Sequence, residues 1–263
     1  FPEQVPELLD RAHGIANSTA KGPVYLSLPR EVLCETCPDE GLESPASMAP
    51  ARSGVRREDM AALVDALANA RNPVIFAQRG AASAAGFAAL SRLAEDWAIP
   101  VCPYWATALP VPSSHPMNLG LNPMPWLADA DVVLVLDSLA PWEPQSHQPA
   151  PNATVIQMGP DPLFSRFPVR NFRADLAIAC AVDDGLVELE EALRPRLSDS
   201  VERRAARGDR VRKASNEIRA AALETAMSGA RSPMTKAYVG KCVSDVIQGH
   251  KATGLSELGV PLA

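Results

Sequence analysis

Apolar positions recur along the chain in two rhythms, three to four residues apart and in short unbroken runs, and their alternation sets out the elements. Leu8, Leu9, Ala12, Ile15 and Ala16 share one side of a helix over 6–20. Gly22-Pro23 breaks it, and the run Val24-Tyr25-Leu26-Ser27-Leu28 reads as a strand. From Glu31 to Val55 neither rhythm holds; Pro38, Gly41, Pro45, Pro50 and Gly54 punctuate small and acidic residues, the signature of a linker. Helical spacing returns at Met60, Leu63, Val64 and Leu67 ahead of the strand Val74–Ala77, and Phe87, Leu90, Ala94 and Trp97 repeat the pattern ahead of Ile99–Cys102. After a short segment at 126–130, the run Val132–Leu136 stands between Asp131 and Asp137, as a strand covered on both faces would. Thr154–Met158 and Leu176–Ala179 are the next strands and Val182–Leu193 the next helix.

Strands alternating with helices predict an α/β fold, a Rossmann-like doubly wound and mainly parallel sheet over about 56–195. Beyond it, 196–230 reads as a helical connector. Between Val201 and Lys213 six basic residues stand against two acidic ones, and without interleaved aromatics the run reads as a solvated helix face or connector rather than a binding patch. Ser232-Pro233 reads as an N-cap followed by proline at the first helical position, opening a helix that runs to Ile247. Residues 252–263 look like a strand and turn.

Composition narrows the function classes. A net charge of -6 argues against nucleic acid or an anionic membrane as main partner, and no apolar run approaches the ~20 residues of a membrane-spanning helix. The 25 prolines cluster at 100–125 and 141–168, which should be loops. Five cysteines, an odd number with no signal peptide ahead of them, suggest a reducing, cytoplasmic setting. The chain opens at Phe1 within a helical pattern, as a segment of a longer protein would.

Motifs for chemistry are sparse. Cys34 and Cys37 form a lone CxxC with no second pair or nearby histidine to complete four ligands. His13, His115, His147 and His250 fit no metal-ligand spacing and read as surface or loop residues, so no metal site is expected. Nucleophile elbow and Walker patterns are both missing. Gln78-Arg79-Gly80 follows a strand and precedes a helix, where backbone N–H groups attract an anion, but the G-x5-G spacing through Gly86 leaves phosphate loop and packing turn equally open. Ligands of open α/β sheets collect beyond the carboxyl ends of the strands, here Arg79-Gly80, Pro103-Tyr104, Ser138 and Gly159-Pro160-Asp161.

The linear order of segments resembles thiamine-diphosphate-dependent enzymes of the acetolactate synthase and 2-oxo acid decarboxylase superfamily. Gly22-Pro23-Val24-Tyr25-Leu26-Ser27-Leu28-Pro29-Arg30 is similar to the closing strand of their pyrimidine-binding domain. Ala70–Ile75, Arg79-Gly80, Ala98–Val101, Ala128–Leu134 and Val155–Pro162 resemble their central domain. Ser232–Ile247 and Glu257-Leu258-Gly259 resemble the start of their diphosphate-binding domain. The resemblance implies five parts: 1–33 from the pyrimidine domain, a linker at 34–55, the central domain at 56–195, a connector at 196–230 and the start of the diphosphate domain at 231–263.

The same resemblance implies a parent enzyme that makes or breaks a C–C bond next to a carbonyl of a 2-oxo acid or acyl donor. Thiamine diphosphate would be the electron sink, with Mg2+ on its diphosphate. The parent would be a homodimer or homotetramer. The activating glutamate would precede Phe1 and the Gly-Asp-Gly…Asn motif would follow Ala263, so this chain carries no catalytic residue and is expected to be inactive alone. Some relatives hold FAD or ADP in the central domain, for which Arg79, Gly80, Ser138 and Asp161 are the candidate contacts here. Two departures count against FAD. Gly159 stands where the first aspartate of an Ile-Asp-Ile-Asp-Pro motif would fall, and Asp137–Pro144 replaces a Phe-Asp-Asp-Arg type of segment. A self-standing Rossmann-like module binding FAD, ADP or NAD, without thiamine chemistry, is the alternative.

Overall fold

The computed structural model describes residues 1–37, 40, 48–122 and 124–252. Its centre is a parallel sheet of five strands, β1 (Pro73–Ala77), β2 (Val101–Cys102), β3 (Val132–Leu136), β4 (Thr154–Gly159) and β5 (Leu176–Ala179), in the order β2-β1-β3-β4-β5. Val133 pairs with Val74 on one side and Val155 on the other, which places β3 at the middle of the ladder. Every residue of β1 and β3 is buried, as unbroken apolar runs require of strands covered on both faces. Aspartates at the strand ends set the register of the turns. The Asp131 carboxylate accepts from the N–H groups of Arg71 and Asn72 at 2.7 and 2.9 Å, and Asp175 accepts from Val155 N–H at 2.8 Å.

Helix α1 (Val5–Asn17) and the single turn α2 (Arg30–Leu33) precede this unit. Around the sheet run α3 (Arg57–Asn69), α4 (Ala84–Asp96), the short α5 (Met124–Leu127) and α6 (Val182–Leu193), the last on its predicted bounds. Leu63, Leu67, Leu90, Leu93, Leu186 and Leu189 are among their fully buried contributions to the core. Trp142, in the loop after β3, packs edge-on against Phe76 of β1 and Phe172 at 5.7 and 5.4 Å between ring centroids.

Three expectations need correction. Val24–Leu28 forms no strand: none of the described segments pairs with it, and a strand exists only through its partners, so Tyr25 stays 91% exposed. The last helix, α8 (Lys236–Ile247), starts at Thr235, whose hydroxyl accepts from Tyr238 N–H at 3.3 Å, and not at Ser232. The Thr235 N–H bonds the Gly229 carbonyl, which brings Thr235 to the helix start. The tail at 253–263, with Glu257-Leu258-Gly259, lies outside the described residues.

The third correction concerns the basic run. It lies on a helix as expected, α7 (Val201–Ser228), with Arg203, Arg210, Arg212 and Lys213 exposed; only the inner face departs from expectation, as a strap rather than a solvated surface. Arg207 is 5% exposed and donates to the carbonyls of Ala70, Arg71, Trp97 and Ala98. Arg203 reaches Asn69 O, and Arg204 reaches Asp96 O and Leu197 O. Apart from Leu197 O, these are carbonyls at or just past the carboxyl ends of α3 and α4, where the main chain has no partner within the helix and carries the negative end of its dipole. Arg210 completes the row, donating to Asn72 Oδ1 at 2.8 Å and lying over Trp126.

Candidate functional site

The chain crosses from one half of the sheet to the other between β1 and β3, and the loops leaving those strands form the crest where such folds receive ligands. Arg79, Gly80 and Ser138 lie on these loops, and Asp161 on the neighbouring loop beyond the carboxyl end of β4. Gln78 ties them together: its carbonyl accepts from Thr107 N–H at 2.8 Å and its side-chain oxygen from Leu139 N–H at 2.8 Å.

Each singled-out residue has a defined place. A Cβ on Gly80 would lie 3.0 Å from Leu136 Cβ and 3.1 Å from Val182 Cγ1, so the missing side chain lets the turn close on the core. Arg79 is exposed, its guanidinium 5.6 Å from the centre of the Phe164 ring. Asp161 caps its own turn, its carboxylate accepting from the Ser165 N–H and hydroxyl at 2.8 and 2.9 Å. Ser138 is 1% exposed, and its hydroxyl has no hydrogen-bond partner among the described residues.

Three neighbours carried no sequence signal. Arg170 donates to Leu139 O at 3.0 Å, Ser138 O at 2.9 Å and Gln157 Oε1 at 3.2 Å, and its guanidinium sits 4.5 Å above the Phe164 ring and 5.1 Å from that of Phe172. Phe164 is buried between the two arginines, in the left-handed backbone region at φ 51°. Asp183, at the start of α6, accepts from Ser83 N–H at 3.0 Å, while the Ser83 hydroxyl accepts from Gly86 N–H at 3.0 Å. The amino end of α4 therefore meets a carboxylate of the protein's own. The Ser83–Gly86 cap follows the ordinary i, i+3 spacing, whereas the bonds of Arg170 to Ser138 and Leu139 and of Asp183 to Ser83 join loops far apart in sequence and follow no spacing rule.

Asp137 also lies in the left-handed backbone region, at φ 40° immediately after β3. Burial raises its carboxyl above the usual aspartate range, with Arg79 and Arg170 opposing and Asp161 adding to the rise. Burial likewise lowers Arg170, against the pull of Asp161 and Asp137. A Cβ on Gly159 would lie 3.3 Å from Asp137 Cα, so a side chain there presses on this strained residue.

Elsewhere, no group of three or more His, Cys, Asp or Glu among the described residues is placed to hold a metal ion. Cys34 and Cys37 are free and exposed. His115 is a loop residue as expected, yet buried: its Nδ1 accepts from Met117 N–H and its Nε2 lies 3.1 Å from Ser91 O. No helix among the described residues is long and apolar enough to cross a membrane.

Comparison with known proteins agrees with this architecture. The chain is similar to an Escherichia coli K12 protein, the acetolactate synthase isozyme 1 large subunit, at 29% identity over 71% of this chain and 34% of that one. It is 30% identical, over 84% of its length, to a Pseudomonas aeruginosa protein named "probable 2-ketoarginine decarboxylase", of which it covers 39%. Among solved structures, the benzoylformate decarboxylase of Polynucleobacter necessarius shares the fold at a TM-score of 0.56 and 21% identity, over 72% of this chain and 36% of that one. The chain thus spans between a third and two fifths of the curated relatives it matches. A family model described as the central domain of thiamine pyrophosphate enzymes matches residues 60–189, the segment that runs from α3 through β5 into α6. Through this segment the chain belongs to the family of thiamine pyrophosphate enzyme central domains.

Proposed function

We propose that the chain is the central unit, with flanking pieces, of a thiamine-diphosphate-dependent enzyme that makes or breaks a C–C bond beside the carbonyl of a 2-oxo acid or related acyl donor. The match of residues 60–189 to the family's central domain carries this reading, and the two curated relatives support the substrate class by their names. In it, 56–195 is the central domain, 196–230 its helical connector, and 1–33 and 231–263 belong to the pyrimidine- and diphosphate-binding domains. Thiamine diphosphate supplies the electron sink for the carbanion, and its Mg2+ and diphosphate ligands lie in segments other than 1–263. The parent assembles as a homodimer or homotetramer in the reducing cytoplasm, in keeping with five free cysteines.

Calorimetric titration of the 263-residue chain with thiamine diphosphate and Mg2+, together with a decarboxylation assay on 2-oxo acids, tests this. The expected result is neither binding nor turnover for the chain, and both for the complete gene product. Tight binding of thiamine diphosphate by the chain alone, or a complete gene product that neither binds it nor turns over a 2-oxo acid, overturns the reading.

A further inference from the structure

The doubly wound strand order leads one to expect a phosphate-bearing ligand at the crest between β1 and β3, with its charge on the amino end of α4. We propose that this crest takes no adenine nucleotide, because the chain's own side chains occupy the positions such a ligand needs, the Asp183 carboxylate standing where a phosphate would.

The amino end of α4 is the decisive place. Free N–H groups and the positive end of the dipole make a helix start attractive to an anion. Here the Ser83 N–H is already given to Asp183 Oδ1 and the Gly86 N–H to the Ser83 hydroxyl. Asp183 Oδ1 comes within 2.0 Å of where a Cβ on Gly86 would sit, so that glycine makes room for an internal carboxylate. A phosphate arriving there meets a like charge at the cap, where the donors of Ser83 and Gly86 are already taken. The turn before it is equally committed, since the bare face of Gly80 is turned to Leu136 and Val182 and not to a ligand.

Arg170 and the acceptors of the crest are spent in the same way, while Arg79 is exposed and only stacks on Phe164. Arg170 gives three hydrogen bonds to Ser138 O, Leu139 O and Gln157, and Phe164 fills the space between it and Arg79. Asp161 is held by Ser165, and Gly159 offers no carboxylate for a ribose. The Ser138 hydroxyl is left over, a demand that a single buried water meets.

Calorimetric titration of the 263-residue chain with FAD, ADP and inorganic pyrophosphate at millimolar concentration tests the proposal. No saturable binding of any of the three is expected, and the amide resonances of Ser83 and Gly86 stay in place. Asp183→Asn keeps an acceptor for Ser83 N–H and removes the like charge, so pyrophosphate should bind this variant saturably at millimolar concentration, where the wild type shows no saturation. Saturable micromolar binding of FAD or ADP to the wild type refutes the proposal, whether or not the variant folds. So does a folded Asp183→Asn chain with no gain for pyrophosphate. These outcomes are independent of the thiamine diphosphate titration, which reports on other segments.

Discussion

Replacing Arg207 with methionine removes the centre of the α7 strap while keeping most of the side-chain volume. Arg207 serves four main-chain carbonyls, those of Ala70 and Arg71 after α3 and of Trp97 and Ala98 after α4. Burial lowers its guanidinium to about 10, with Asp131 opposing, so it is fully charged at neutral pH. Each hydrogen bond from a charged donor contributes about 1.5–3 kcal/mol, roughly 6–12 kcal/mol for four. Against this stands the cost of holding a guanidinium out of water, several kcal/mol. The net loss expected for Arg207→Met is ~3 kcal/mol, or a fall in Tm of roughly 6–12 °C for a unit of this size. Urea and thermal unfolding followed by circular dichroism measure it. Arg212→Met is the control, since Arg212 is about half exposed and among the described residues pairs only with Asp209; its cost should stay within ~0.5 kcal/mol. A loss below ~1 kcal/mol for Arg207→Met would mean that water replaces the guanidinium on these carbonyls, and the strap argument would be wrong.

The other predictions concern pH, packing and thiol access. Burial lowers the pKa of His115, so the folded protein holds it neutral while the unfolded chain still protonates near 6.5. Stability should be full above that pH and fall as pH drops through it and on toward the lower folded value; a pH series of unfolding midpoints unchanged by His115→Gln would reject this. Gly86→Ala puts a methyl group 2.0 Å from Asp183 Oδ1, so overpacking of about 1–3 kcal/mol should outweigh the ~1 kcal/mol gain in helix propensity. A rise in Tm would contradict the close approach of α4 and α6. In the native chain a thiol reagent should label Cys34, Cys37 and Cys242 quickly and leave Cys102 and Cys180, both buried and pushed up to about 12, unreacted until unfolding. Mass spectrometry that finds either buried thiol modified first would count against the packing described.

Most elements of the sheet unit were legible because their cause is local. Val132–Leu136 reads as a covered strand from its own run of apolar residues, and α6 falls at the predicted Val182–Leu193 because helical spacing needs no knowledge of a neighbour. The crest residues Arg79, Gly80, Ser138 and Asp161 were also placed correctly, since topology alone puts loops there. What each side chain does was not legible. Gly80 and Gly86 look alike in sequence to ligand-approach glycines, and only the positions of Leu136, Val182 and Asp183 show that both serve packing. The carboxylate that caps α4 comes from 100 residues further along the chain.

By itself, then, the sequence determined the alternation of helix and strand, the parallel α/β class and the resemblance to thiamine enzymes, because apolar period and segment order are written along one dimension. Tertiary structure decided that 24–28 lacks a strand partner among the described residues, that Thr235 opens α8, and that one arginine of a mostly exposed basic run, Arg207, is buried as a strap. It also decided that the sheet's crest is occupied by Arg170, Phe164 and Asp183. Each of these depends on which distant group satisfies a hydrogen-bond donor, acceptor or charge, and that pairing exists only once the chain has folded.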